Sequence, residues 1–289
     1  MLPSRFDYHR AASVDETLSL LATYGDEAKI LAGGQSLIPI MKLRFATPGH
    51  LIDVNRIAGL DAIEERDGTL RIGALVRHNA LAASEVVKAR YPTIASAAPQ
   101  IADPIVRNLG TIGGSLAHAD PAGDLGSVML ALGASVVVRS QSGEREIPIS
   151  GFLVDAFTTS ITPTEMLTEI RVPSPPPRSG GTYLKLERKV GDFATVGVAI
   201  ALSLSNGSIA RAGIGLTGVG LKNIQPVEAE AGLSGAAATE DTFAEAGKVA
   251  AAASNPTSDV RGPADYKRHM VDVYVRRGLA RALDMAGAD

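Results

Sequence analysis

Two stretches of small residues set out the chemistry open to this chain: Ala32-Gly33-Gly34-Gln35-Ser36-Leu37 and Gly110-Thr111-Ile112-Gly113-Gly114-Ser115. In the first, an apolar run from Ala28 to Ala32 stops at a glycine pair, and helical spacing resumes from Leu37 to Arg44. Adjacent glycines lack Cβ atoms, so their N–H groups can turn to one side and let a diphosphate approach the backbone. The helix N-terminus behind them adds roughly half a positive charge. Taken alone, such a loop reads more simply as a tight strand-to-helix turn. The second loop shifts the balance, because it again sets hydroxyl and small residues around a glycine pair. Two such loops can clasp a diphosphate from both sides. Asp124 follows shortly after the second loop. Its carboxylate can accept hydrogen bonds from ribityl or ribose hydroxyls, or cap the helix that follows it.

Further along, Tyr183-Leu-Lys185-Leu-Glu-Arg-Lys-Val-Gly-Asp192-Phe193 places a cation and an aromatic ring near a Gly-Asp turn. Lys185 can neutralise a phosphate or approach an adenine, and Phe193 can cover a planar cofactor. The competing reading is a solvated basic strand edge with one core Phe. Gly213-Ile-Gly215-Leu-Thr-Gly218 matches the G-x-G-x-x-G dinucleotide pattern literally. That fingerprint needs a helix opening on it and an acidic residue about 20 positions later. Here Pro226 follows closely, and a glycine-rich strand is the better reading. The chain has no P-loop, no H-E-x-x-H and no G-x-S-x-G. His9, His50, His78, His118 and His269 are scattered without metal-ligand spacing, and His118 alone follows a candidate loop.

The elements that must position these residues are legible in outline. Ser13-Val-Asp-Glu16 is a capping box for a helix ended by Gly25, between strands near the N-terminus and at Ala28–Ala32; a further short strand follows at Leu51–Val54. From about residue 55 the spacing gives a strand at Leu70–Leu75 and helical stretches over 79–100. The turn from Gly110 to Ser115 leads into a helix near 125–132, followed by strands at 135–139 and 166–172. The proline-rich segment 172–181 reads as a linker. Beyond it, strands at about 182–189, 195–205 and 208–217 form an antiparallel meander, and helices fill 226–234, 239–253 and 263–284. We read a region 1–175, divided near residue 54 into 1–54 and 55–175, and a region 180–289.

Composition bounds the rest. The 289 residues are 45% hydrophobic and 20% charged, with a net charge of −3 and no block of like charge, which argues against nucleic-acid or membrane-surface partners. The absence of cysteine excludes disulfides, a cysteine nucleophile and any iron–sulfur cluster ligated by this chain. No signal-peptide pattern and no apolar run of membrane-spanning length occur, so a soluble, cytoplasmic protein is expected.

Read together, FDYHRAAS, AGGQSLIPIMKLR, RIGALVRH, DPIVRNLGTIGGSLAHADPAGDL, YLKLERKVGDFATVGVAI and RGPADYKRH resemble the FAD-binding medium subunits of the molybdenum hydroxylases. That family includes the medium chains of aerobic carbon monoxide dehydrogenases and the flavin domain of xanthine dehydrogenases. The resemblance implies an α+β FAD-binding domain of vanillyl-alcohol-oxidase (PCMH) type with two subdomains. A C-terminal domain with a three-stranded antiparallel sheet and helices would follow. It also implies non-covalent FAD held by Ala32, Gly33, Gly34, Gln35, Ser36 and Leu37 on one side of the diphosphate. Thr111, Ile112, Gly113, Gly114 and Ser115 would hold the other side. Ile101 matches a position near the flavin, Asp124 one that binds cofactor hydroxyls, Leu167 and Lys185 positions near the adenine half, and Phe193 an aromatic over the isoalloxazine ring. Two residues depart from the pattern. Phe193 stands where the carbon monoxide dehydrogenase chains have Tyr, and Ser115 where many relatives have Asn or Asp.

By the same resemblance, a large partner subunit carries the molybdenum cofactor and a small one carries two 2Fe–2S clusters, in a dimer of heterotrimers. Electrons would reach FAD here and leave to a quinone or NAD, on a complex that is cytoplasmic or associated with the inner face of the membrane. No side chain of this chain is then required as a catalytic acid or base. Carbon monoxide is the leading substrate, with aldehydes, N-heterocycles and xanthines as alternatives. A free-standing flavoprotein oxidase and a non-catalytic scaffold are the readings from other classes.

Overall fold

A computed structural model of the chain describes residues 2–287. It opens on a small parallel sheet of β1 (Asp7–Arg10), β2 (Ala28–Leu31) and β3 (His50–Asp53), ordered β1-β3-β2. Parallel neighbours need crossover connections, and helix α1 (Val14–Tyr24) lies in the first of them. Ser13 Oγ accepts the Glu16 N–H at 3.1 Å, while the Glu16 carboxylate accepts the Ala12 N–H at 2.7 Å. The reciprocal cap therefore reaches one residue further back than the Ser itself. Gly25, at φ 52°, closes the helix. Val14, Leu18 and Leu21 then pack with Ile52 and Val54 in one small core. After β2 the chain turns through the first glycine loop into α2 (Leu37–Lys42).

Next comes an antiparallel sheet of five strands: β4 (Ile63–Arg66), β5 (Thr69–Gly73), β6 (Ser135–Ser140), β7 (Gly143–Pro148) and, after the small hairpin β8 (Leu153–Asp155) and β9 (Thr158–Thr159), β10 (Met166–Pro173). Its order is β4-β5-β10-β6-β7. Side chains alternate across a sheet, so Leu70, Ile72, Val136, Val138, Ile170 and Val172 all reach the same core. Helices α3 (His78–Ala83), α4 (Glu85–Arg90), α5 (Pro92–Ala97), α6 (Pro104–Leu109), α7 (Ile112–His118), α8 (Asp124–Leu132) and α9 (Ile149–Phe152) belong to this region. Helix α7 differs from the sequence expectation, which had the second glycine loop lead on to a single helix near 125–132. The glycine pair lies inside the first turn of a separate helix, and Ala119, in the left-handed conformation at φ 50°, divides α7 from α8. Two glycines in so short a helix lower its propensity and hide it from a reading of the sequence.

The chain then crosses to a three-stranded antiparallel sheet of β11 (Ser179–Leu186), β12 (Val196–Ser205) and β13 (Ser208–Thr217). Strand β11 ends at Leu186, short of the expected 189, and the segment from Glu187 to Thr195 is a loop. One face of the sheet packs on α10 (Val227–Leu233), α11 (Glu240–Ala253) and α12 (Ala264–Gly287), with Val198, Ile200 and Ile214 in one core with Phe243, Val275 and Leu279. The other face receives α5 and α8. A Cβ at Gly213 or Gly215 would lie 1.9 Å from the Ala131 or Ser127 carbonyl oxygen, respectively. The literal G-x-G-x-x-G match is thus a seat that lets α8 rest on the β13 backbone. All nine residues of α8 are buried, as expected of a helix covered on every side. Among the described residues no helix is long and apolar enough to cross a membrane.

Candidate functional site

The two glycine loops touch. A Cβ on Gly33 would lie 2.3 Å from the Leu109 carbonyl oxygen and 2.7 Å from the Gly110 α-carbon, and one on Gly114 would reach Ala32 Cβ at 3.9 Å. Gly113 is as constrained, since its Cβ would fall 2.6 Å from Ala74. Glycine is required at Gly33 and Gly113 because the opposing atoms there are mostly backbone and cannot rotate aside.

The loops are unequal in what they offer. Among the described residues, no protein acceptor takes the N–H of Gly33, Gly34, Gln35 or Ser36. Gly34 adopts the left-handed conformation at φ 71° within this row. Ser36 sits at the N-cap of α2 without using its side chain to cap it, and Leu37 begins that helix. In the second loop the amides are already engaged. Ile112 N–H donates to Val76 O at 3.0 Å, Gly113 N–H to Ala74 O at 3.0 Å, Ser115 N–H to Thr111 O at 2.9 Å, and Gly114 N–H to Thr111 Oγ1 at 3.1 Å. What remains there is the Thr111 hydroxyl proton, the Ser115 hydroxyl and the exposed face of Gly114. The first loop therefore presents a row of unpaired N–H donors, a candidate cradle, and the second loop is its wall. A row of free N–H groups is the kind that a cofactor diphosphate takes.

Beneath the wall lies His78. Its N–H donates to Gly110 O at 3.1 Å, and its ring would meet a Cβ on Gly110 at 2.8 Å. Burial, reinforced by the charges of Arg107 and Arg77, lowers its pKa to about 4.

A short segment links the loops to the C-terminal sheet. Ile101 closes the turn before α6, and Arg107 Nη1 donates to both the Ile101 and Ala102 carbonyls at 2.9 Å. Gly191, at φ 84°, is pressed so near Ala102 that a Cβ would lie 2.9 Å from its carbonyl oxygen. Phe193 follows in that same loop, 52% exposed, and is not the core residue of the competing reading. Asp192 holds the loop, taking Arg261 Nη2 at 3.1 Å and the Phe193 N–H at 2.8 Å.

Lys185 is not on a solvated strand edge either. Its side chain is 1% exposed, and its ammonium donates to Asp124 Oδ2 and the Gln100 carbonyl, each at 3.0 Å. Tyr183, fully buried two residues earlier on the same strand face, donates its hydroxyl to Asp124 Oδ1 at 2.6 Å. Burial pushes the Asp124 carboxyl up, with the Lys185 ammonium and the Tyr183 hydroxyl opposing it, and drives the Tyr183 phenol well above its ordinary value. Asp124 thus opens α8 with its carboxylate held from the C-terminal sheet.

Leu167 is buried in β10, the strand against which α7 packs. His118 lies beside Phe157, ring centroids 5.2 Å apart. His9 and His50, scattered in sequence, meet across β1 and β3 with ring nitrogens 3.1 Å apart, and Tyr24 stacks on His50. Among the described residues no group of three or more His, Cys, Asp or Glu side chains is placed to hold a metal. The sequence reading missed Tyr183, Gln100 and Arg261. Only Tyr183 left a signal, its i, i+2 spacing to Lys185.

Residues 4–175 match the family of FAD-binding domains in molybdopterin dehydrogenases, and residues 181–282 match the C-terminal domain of carbon monoxide dehydrogenase flavoproteins. The chain belongs to this flavoprotein family. It is 43% identical to the carbon monoxide dehydrogenase medium chain of Hydrogenophaga pseudoflava, over 98% of both chains. It is 42% identical to subunit alpha of the 6-hydroxypseudooxynicotine dehydrogenase complex of Paenarthrobacter nicotinovorans, over 99% of this chain and 97% of that one. Its fold superposes with a TM-score of 0.96, at 44% identity and 99% coverage of both chains, on a solved chain of the Hydrogenophaga pseudoflava carbon monoxide dehydrogenase lacking the Mo-pyranopterin moiety of its cofactor. A family FAD site is consistent with the cradle built by this flavoprotein's own residues.

Proposed function

We propose that this chain is the FAD-carrying medium subunit of a molybdenum hydroxylase of the carbon monoxide dehydrogenase type. The observation that carries the reading is the row of free N–H groups at Gly33–Ser36, set against the Thr111–Ser115 wall. FAD supplies two-electron storage with single-electron exchange, chemistry that no side chain of this protein has. The protein's part is to bind and orient. Loop amides and the α2 N-terminus take the diphosphate, and the Thr111 and Ser115 hydroxyls add donors from the opposite side. Asp124 accepts from cofactor hydroxyls with the orientation that Tyr183 and Lys185 impose. Ile101 and Phe193, brought to neighbouring segments by the Gly191–Ala102 contact, supply apolar cover for the ring. Leu167 backs the adenine half from β10.

The partners in this reading are a large molybdenum-cofactor subunit and a small 2Fe–2S subunit in a dimer of heterotrimers, with a quinone or NAD as acceptor. The complex is cytoplasmic or lies at the inner face of the membrane. Carbon monoxide is the leading substrate. An N-heterocycle is the second, because the 6-hydroxypseudooxynicotine dehydrogenase relative matches as fully and at nearly the same identity.

Purification from the native host, with metal analysis and a panel of these substrates, tests the assembly. The expected result is a three-subunit complex whose flavin is released by acid denaturation. A lone active chain without molybdenum or iron would overturn it, and flavin that stays on the unfolded chain would overturn non-covalent binding.

A further inference from the structure

What holds the two glycine loops against each other is a polar bridge of two side chains, Asn55 and Arg77, neither of which has been assigned to the cofactor. Asn55, two residues past β3, donates Nδ2 to the Ala32 carbonyl at 2.7 Å and to the Leu31 carbonyl at 3.3 Å. Arg77, immediately before α3, donates Nη2 to Asn55 Oδ1 at 2.6 Å and Nη1 to the Leu109 carbonyl. Asp53 fixes the amide from behind, accepting the Asn55 N–H at 2.8 Å and Nδ2 at 2.7 Å while Tyr8 donates to its other oxygen. Two of the carbonyls it ends on bear directly on Gly33: that of Ala32 immediately precedes it, and that of Leu109 is the oxygen that a Cβ on Gly33 would strike.

A trans peptide is planar, with its C=O and N–H pointing in opposite directions. Turning the Ala32 carbonyl into Asn55 therefore turns the Gly33 N–H the other way, toward the free row. Arg77 couples that peptide plane to the second loop through one planar fork, which a lysine cannot reproduce. We propose that Asn55 and Arg77 are positioning residues that aim the first loop's amides and set the spacing between the loops for the cofactor diphosphate. This rests on the FAD reading above.

The test titrates the full chain, stripped of flavin, with FAD and separately with riboflavin, which lacks the diphosphate. Asn55→Leu, Arg77→Met, Arg77→Lys and the Asn55→Leu/Arg77→Met double variant are compared with the wild type. Each single change to Leu or Met is expected to weaken FAD binding about tenfold with riboflavin binding unchanged, and the double variant to be no weaker than either single one, as for two residues acting as one unit. Arg77→Lys is expected to recover little. Multiplying losses in the double variant, equal losses for both ligands, full rescue by lysine, or unchanged FAD affinity would each overturn the proposal. Should Arg77→Met fail to fold, Asn55→Leu and Arg77→Lys carry the test by themselves. A wild-type chain that takes up no FAD overturns the cofactor reading itself, a different result from variants that bind as the wild type does.

Discussion

The α-carbon of Gly33 faces the Leu109 carbonyl so closely that a Cβ built on it would lie 2.3 Å from that oxygen. Both neighbours are main chain, so neither can swing away. Replacing Gly33 by Ala must push the loops apart, which displaces the free amides from the wall that faces them. We expect Gly33→Ala to lower FAD affinity at least about tenfold, as misplacement of binding groups by about an ångström does. The flavin-to-protein absorbance ratio after dialysis measures it. Wild-type occupancy in the variant would show that the contact does not set the cradle.

Lys185 and Asp124 are both buried, with side-chain exposures of 1% and 7%. Removing Lys185 leaves the buried Asp124 carboxylate without its counter-charge, whereas removing both leaves a neutral pair there and only the less buried Glu187, 3.6 Å from Lys185, unpaired. Lys185→Met is therefore expected to destabilise the protein by about 3 kcal/mol, and Asp124→Asn/Lys185→Met to recover roughly half of that. Denaturant unfolding of the flavin-free chain reads both values. A double variant no better than Lys185→Met would count against the pairing as the source of the loss.

His78 is buried and neutral, with its pKa lowered from 6.5 to about 4. Below pH 6.5 the unfolded chain takes up a proton that the folded chain refuses, so stability falls as pH drops toward 4. The full loss from this group is about 3 kcal/mol. Comparing unfolding free energies at pH 7 and pH 4 in the wild type and in His78→Phe isolates it: the variant should show a shallower fall. Parallel curves would exclude His78 as the titrating group.

Phe193 is half exposed in a loop that Asp192 ties to Arg261 and Gly191 packs against Ala102. Its loss should leave the fold intact while removing apolar cover from a bound ring. Phe193→Ala is expected to weaken FAD binding by about 1–2 kcal/mol, with an unchanged melting temperature of the flavin-free chain. Equal affinity in variant and wild type would remove the ring contact from the account.

The glycine loops were legible because glycine pairs between a strand and a helix leave a local mark. So were the Ser13–Glu16 cap and the three-stranded meander, whose periodicities are short. What stayed hidden was long-range. The unequal hydrogen bonding of the two loops depends on where Val76 O and Ala74 O take the second loop's amides, which no window around residues 110–115 contains. Lys185 looked like a solvated cation because Asp124, its partner, lies 61 residues away in sequence. Asn55 carried no motif, and Arg77, although inside RIGALVRH, had no role assigned by it. Their meaning comes from three chain segments converging, and the same holds for the His9–His50 meeting across β1 and β3.

Helix α8, buried along its whole length, rests on the backbone of β13 through Gly213 and Gly215 and begins with Asp124. The proline-rich crossing after β10 marks an obvious place to divide the gene, yet the helix makes the two halves hereditary companions. A lineage that exchanged the C-terminal half for a foreign one would leave α8 without its seat and Asp124 without Tyr183 and Lys185. Recombination at that crossing is thereby closed unless both halves bring matching surfaces, and sequence change in β13 and α8 must proceed in step.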